Sequence, residues 1–175
     1  RLVKDKKVRM PENEITGEWF LKTHQLMESN GYPSYEISNF SQPGFECRHN
    51  LHYWKIHPYL AFGPSAHGFD GTNRWNNSRS LDLFLQQIES GNSPISITET
   101  LTEKDKLNEL IGFGLRMNDG IDLKKIPEIF QTQFGENLKI IEKKWEGCFI
   151  KNKNSISLTK TGMVFGDAIG VDLMF

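Results

Sequence analysis

Apolar residues recur at helical spacing in several stretches of the chain, and these set most of the expected elements. Ile15, Trp19, Leu21, Leu26 and Met27 follow Pro11-Glu12-Asn13-Glu14, whose acidic first turn suits a helix start. The pattern runs to about Asn30, and Gly31 reads as its C-cap. Pro33 then forces extension, so residues 35–38 (Tyr-Glu-Ile-Ser) read as a short strand completing an αβ unit. Residues 39–54 are irregular, with a turn at Pro43-Gly44 and a polar and aromatic cluster from Cys47 to Trp54. A second short strand is expected at 59–62, a loop at 63–68, a turn at 71–73 and a brief strand at 74–76. Ser80 then caps a helix carrying Leu83, Phe84, Leu85 and Ile88, which residues 90–94 break.

Beyond residue 95 the pattern becomes mostly helical. Thr102, with Asp105 three positions on, is a strong helix start, and Leu107, Leu110, Ile111, Gly114, Leu115 and Met117 continue it until Asn118-Asp119-Gly120. Asp122 caps a second helix bearing Leu123, Ile126, Ile129 and Phe130. Leu138, Ile140, Ile141 and Trp145 mark a third, ending near Gly147. Residues 148–151 and 155–158 flank Asn152-Lys153-Asn154 as a β-hairpin whose asparagines suit positive φ. Thr159 opens a last helix with Met163, Phe165, Ile169 and Leu173. The expectation is an α+β chain in two parts: residues 1–94, and residues 95–175 as a small helical, winged-helix-like domain with a hairpin.

Composition excludes several classes. A hydrophobic fraction of 37% beside 25% charged residues suits a folded globular chain rather than a disordered one. Residues 1–94 carry ten basic and ten acidic side chains and residues 95–175 eleven and twelve, so neither half has the basic excess of a nucleic-acid binder. The lysines of the C-terminal half are matched by acids and read as solvated faces, as does the basic stretch at residues 1–9. Two distant cysteines, Cys47 and Cys148, form no disulfide scaffold and suit a reducing cytoplasm. No apolar run is long enough to span a membrane.

His49 is the sharpest candidate for chemistry. On a helix through residues 50–54 it shares a face with Tyr53, beside Asn50, His52 and Trp54. An imidazole next to flat aromatics can supply an axial ligand and a contact surface for a heme. The same group can equally fill a core edge. Cys47 and His49 lack the second pair a structural zinc needs. Gly63-Pro64-Ser65-Ala66 follows an expected strand and would let a ligand approach the backbone. Ser65 and His67 form no recognisable hydrolase arrangement, and no phosphate-cradling motif is present.

Tyr35-Glu36-Ile37-Ser38-Asn39-Phe40, Pro43-Gly44-Phe45-Glu46-Cys47-Arg48-His49-Asn50 and Tyr53-Trp54 closely resemble the HemW family. The loop Gly63-Pro64-Ser65-Ala66-His67 resembles that family's Gly-Pro-Gly-Ala-His. Leu115-Arg116, residues 120–123 and Leu158-Thr159 with Gly162 resemble its C-terminal domain. The His-Asn-x-x-Tyr-Trp pattern separates these heme chaperones from true oxygen-independent coproporphyrinogen III oxidases.

The resemblance implies the end of a radical SAM partial (β/α) barrel in residues 1–94, followed by the family's C-terminal domain. It implies heme contact by His49, with His49 on the iron, and by Asn50, Tyr53 and Trp54. It implies an S-adenosylmethionine loop at Gly63 and Ala66, a [4Fe–4S] cluster and S-adenosylmethionine in the parent protein, and a heme-acceptor protein as partner. The chain contains no Cys-x-x-x-Cys-x-x-Cys, so it is not expected to cleave S-adenosylmethionine. Ser65 in place of the family's second Gly would be strained if that position needs positive φ. Two alternatives stand beside this reading: a coproporphyrinogen III oxidase decarboxylating propionates, and a winged-helix module for protein interaction.

Overall fold

A computed structural model describes residues 12–175. The basic segment at residues 1–9 and the helix-opening Pro11 lie outside the described residues. Helix α1 (Asn13–Ser29) ends at Gly31, whose φ of 83° fits the expected C-cap. Its inward residues are not the ones its apolar pattern suggests. Trp19 and Leu26 are exposed, while His24 is buried between Phe20 and Phe40.

Residues 35–38 do not form a strand. Ser34 bridges Phe40, and Glu36 bridges Met117, so the segment is a tight loop stitched to the C-terminal half. Helix α2 (Arg48–Trp54) follows, and the expected strand at 59–62 is reduced to one bridge between Tyr59 and Phe69. Strands β1 (His67–Phe69), β2 (Asn73–Asn77) and β3 (Ile95–Thr100) form an antiparallel sheet with β2 central. Helix α3 (Leu81–Glu89) sits between β2 and β3, and the Ser80 hydroxyl accepts the Leu83 N–H as expected. β3 itself was not expected, because its Ile-Ser-Ile-Thr-Glu-Thr sequence is fully exposed and carries no core face.

The core lies in the C-terminal half. Helix α4 (Glu103–Arg116) starts with a complete capping box between Thr102 and Asp105. Its Leu107, Ile111 and Leu115, spaced at i, i+4 and i+8, are buried against Ile169 and Leu173 of α7 (Gly166–Leu173). Strand β4 (Ile121–Asp122) joins the hairpin β5 (Phe149–Lys151) and β6 (Ser155–Leu158) in the order β4-β6-β5. Gly120 leads into β4 with φ of 75° and lies so close to the Ile156 carbonyl that no side chain fits.

Three other expectations are revised. Asp122 caps only a three-residue 3-10 turn (Leu123–Lys125), and the second and third helices are one continuous α5 (Glu128–Lys144). Pro127 causes this, since it ends the turn and stands at the N-cap of the longer helix. The last helix is broken into α6 (Lys160–Val164) and α7 at Phe165. Neither hairpin asparagine has positive φ; among the described non-glycine residues only Ile56 and Ser65 do.

Candidate functional site

Helix α2 is too short to persist alone and is held at both flanks. Its C-terminus closes in a Schellman arrangement. The Ile56 N–H donates to the Tyr53 carbonyl at 2.9 Å and the His57 N–H to the His52 carbonyl at 3.1 Å. The left-handed position, usually glycine, is Ile56 with φ of 57°. On one flank Trp54 packs on Phe113 of α4, with ring centroids 5.6 Å apart, and the Arg116 guanidinium lies 4.7 Å above its ring. On another flank His49 meets Tyr53 edge-on at 4.9 Å, Tyr53 meets Tyr59 at 4.7 Å, and Tyr59 leans on Phe69.

The helix therefore does place His49 and Tyr53 on one face, as their spacing requires. His49 is exposed, and its ring has no hydrogen-bond partner among the described residues. His52 differs: its Nε2 lies 2.7 Å from the Pro58 carbonyl, and its ring abuts His57. Asn50 is half-buried, and among the described residues its amide serves no backbone group. Trp54 faces a different neighbourhood, lining a cleft against α4 and the 3-10 turn, so the four expected contact residues do not share one wall.

The Gly63–Ala66 loop is braced by residues the sequence reading did not single out. The Asn77 amide donates to the Gly63 carbonyl at 2.9 Å, the Asn77 N–H to the Ala66 carbonyl, and the Ser65 N–H to the Ser78 carbonyl. Asn77 and Ser78 are buried. Their only sequence signal is a polar Asn-Asn-Ser run where a strand should carry apolar residues. Ser65 has φ of 60°, so the strain expected of a serine at this position is present.

The Tyr-Glu-Ile-Ser segment also has a partner that linear reading cannot supply. The Glu36 carboxylate is wholly buried; it accepts from Arg116 Nε at 3.1 Å, the Ser38 N–H at 2.8 Å and the Asn39 amide at 2.6 Å. Arg116 thereby ties Glu36 to Trp54. A second cross-link is bidentate, from Arg74 of β2 to Glu109 of α4. Cys47, at the N-cap of α2, is exposed, whereas Cys148 is buried and burial raises its thiol pKa. Among the described residues no three His, Cys, Asp or Glu side chains gather as a metal site. The chain's two cysteines do not fit a [4Fe–4S] cluster.

Comparison with known proteins defines the class first. Residues 101–165 match the HemN C-terminal domain. The fold matches a solved structure described as coproporphyrinogen III oxidase (HemN) from Escherichia coli, a radical SAM enzyme, with a TM-score of 0.67 over 87% of this chain and 39% of that one. Identity there is 19%, so this likeness speaks to the fold alone. The α+β chain thus has the fold of part of that structure, and residues 101–165 are similar to the HemN C-terminal domain.

Among curated proteins, the chain is similar to HemW heme chaperones over their C-terminal part. It is 28% identical over 172 residues to the heme chaperone HemW of Bacillus subtilis, covering 96% of this chain and 45% of that protein. It is 30% identical over 129 residues to HemW of Synechocystis, covering 73% of this chain and 31% of that protein. It is also 28% identical to the zebrafish (Danio rerio) mitochondrial radical S-adenosyl methionine domain-containing protein 1, covering 95% of this chain and 40% of that protein. The chain spans less than half the length of these relatives. Among the described residues no helix is long and apolar enough to cross a membrane.

Proposed function

We propose that this chain is the heme-contacting C-terminal part of a HemW-type heme chaperone, working in the cytoplasm and passing heme to an acceptor protein. On this reading residues 1–94 are the end of the radical SAM barrel and residues 95–175 the domain docked on it. The observation that carries the reading is His49. It is exposed, presented by a helix pinned at both flanks, set edge-on to Tyr53, and committed to no other described group. An imidazole so placed is free to bind iron through one nitrogen while Tyr53 offers an apolar edge to the macrocycle. His52 is a poorer ligand because its Nε2 is held by the Pro58 carbonyl. The cluster and S-adenosylmethionine belong to the parent protein, and Gly63 and Ala66 would form the edge facing S-adenosylmethionine.

An absorbance titration with hemin tests this. Wild type and His52→Ala are expected to show a saturable Soret shift, and His49→Ala to lose it or shift it elsewhere. Identical spectra for wild type and His49→Ala would remove His49 as ligand.

A further inference from the structure

Helix α1 exposes its apolar side chains at Ile15, Trp19, Leu21 and Leu26, and among its described side chains only His24 is buried. The residue that seats this helix on the molecule is therefore an ionisable one. Its ring lies between Phe20 and Phe40, and its two nitrogens have different partners. Nε2 is 3.1 Å from the Ile37 carbonyl, which can only accept, so Nε2 carries the proton of the neutral ring. Nδ1 then turns a lone pair to the Lys160 ammonium of α6 at 3.4 Å, and that ammonium also donates to the buried Ser34 hydroxyl at 2.7 Å.

A second proton on this ring must go to Nδ1. It removes the acceptor, sets two donors face to face and puts two cations in a buried contact. Three charged groups face the ring: Lys160 from α6, Glu28 from α1 itself and Glu36 from the 34–40 loop. Glu36 is committed to Arg116, Ser38 and Asn39, and Glu28 is exposed and screened by water, so neither cancels the ammonium. The C-terminal core has little need of α1, which among the described residues contributes only Phe20 to its edge. We infer that His24 is an acid-sensitive latch, whose protonation releases α1 from α6 while the C-terminal core stays folded. The inference is independent of any role of α2.

Hydrogen exchange of the whole chain, corrected for the intrinsic pH dependence of amide exchange, tests this between about pH 7.5 and about pH 5.5. The released state takes up the proton first, so release deepens as pH falls below the usual histidine value of 6.5, by up to about tenfold per pH unit. Amides of residues 17–29 should lose up to about tenfold in protection at the lower pH, while those of α4 and α5 keep theirs. His24→Gln should remove that pH dependence, whatever its own level of protection. Imidazole nitrogen shifts of the wild type give a second reading that needs no variant. They should show the Nε2–H tautomer at the higher pH, and a His24 titration whose midpoint matches the loss of α1 protection. The latch is overturned if α1 keeps its protection at the lower pH, if α4 and α5 lose theirs in parallel, if the neutral ring carries its proton on Nδ1, or if His24→Gln keeps the wild-type loss.

Discussion

The Glu36–Arg116 pair allows an asymmetric prediction. Glu36 has no exposed surface, whereas the Arg116 side chain keeps 27% of its own. Arg116→Met leaves a fully buried carboxylate with only the Ser38 and Asn39 donors, and losing one partner of a buried ion pair costs about 3–5 kcal/mol. Glu36→Gln keeps the shape and can still accept from both of those donors. The arginine left behind remains partly hydrated, over Trp54 and hydrogen-bonded to the Ser38 hydroxyl. Losing one charge-assisted bond in that setting costs about 2 kcal/mol. Urea denaturation measures both. With a slope of about 2 kcal/mol per molar, Arg116→Met should lower the midpoint by roughly 2 M and Glu36→Gln by roughly 1 M, at unchanged slope. The double variant should cost less than the sum of the two. If Arg116→Met costs no more than Glu36→Gln, the burial asymmetry is not what governs this junction.

Three further predictions follow from local geometry. Ser65→Gly should raise stability by about 0.5 kcal/mol in a thermal melt, since relief of the left-handed strain outweighs the added freedom of the unfolded chain. Gly135→Ala, in mid-helix with open space around it, should stabilise by about 0.5–1 kcal/mol, while Gly120→Ala should cost about 3 kcal/mol or more through strain and collision with the Ile156 carbonyl; equal effects would refute the contrast. Burial lowers the His24 pKa below its usual 6.5, while the Ile37 carbonyl opposes the shift and Lys160 reinforces it. The unfolded chain therefore binds that proton first, and stability should fall as pH drops below about 6.5, by at most about 1.4 kcal/mol per pH unit from this group. His24→Gln should flatten that dependence in urea titrations across pH; an unchanged slope would exclude His24 as its source.

Local chemistry made much of the fold legible in one dimension. Thr102 with Asp105, Ser80 and Thr159 cap helices within a few residues of themselves, and Leu107, Ile111 and Leu115 mark a core face by spacing alone. These signals need no distant partner. The same holds for His49 and Tyr53, which one turn of helix brings together. Where linear reading failed, partners lay far along the chain. Residues 35–38 look like a strand but hydrogen-bond to Arg116 and Asn118, about eighty positions away. Asn77 and Ser78 matter only because the 63–66 loop folds onto them.

The sequence alone thus determined helix starts, the C-terminal core stripe and the motif that marks the family. Only tertiary structure decided that Trp54 turns away from His49 toward α4, that Glu36 is buried beneath Arg116, and that Lys55, Lys124 and Lys125 line one cleft. The physical reason is range. Caps and periodicity act over one or two turns, whereas the burial of a charge and the shape of a cleft depend on contacts that exist only after the chain has closed on itself.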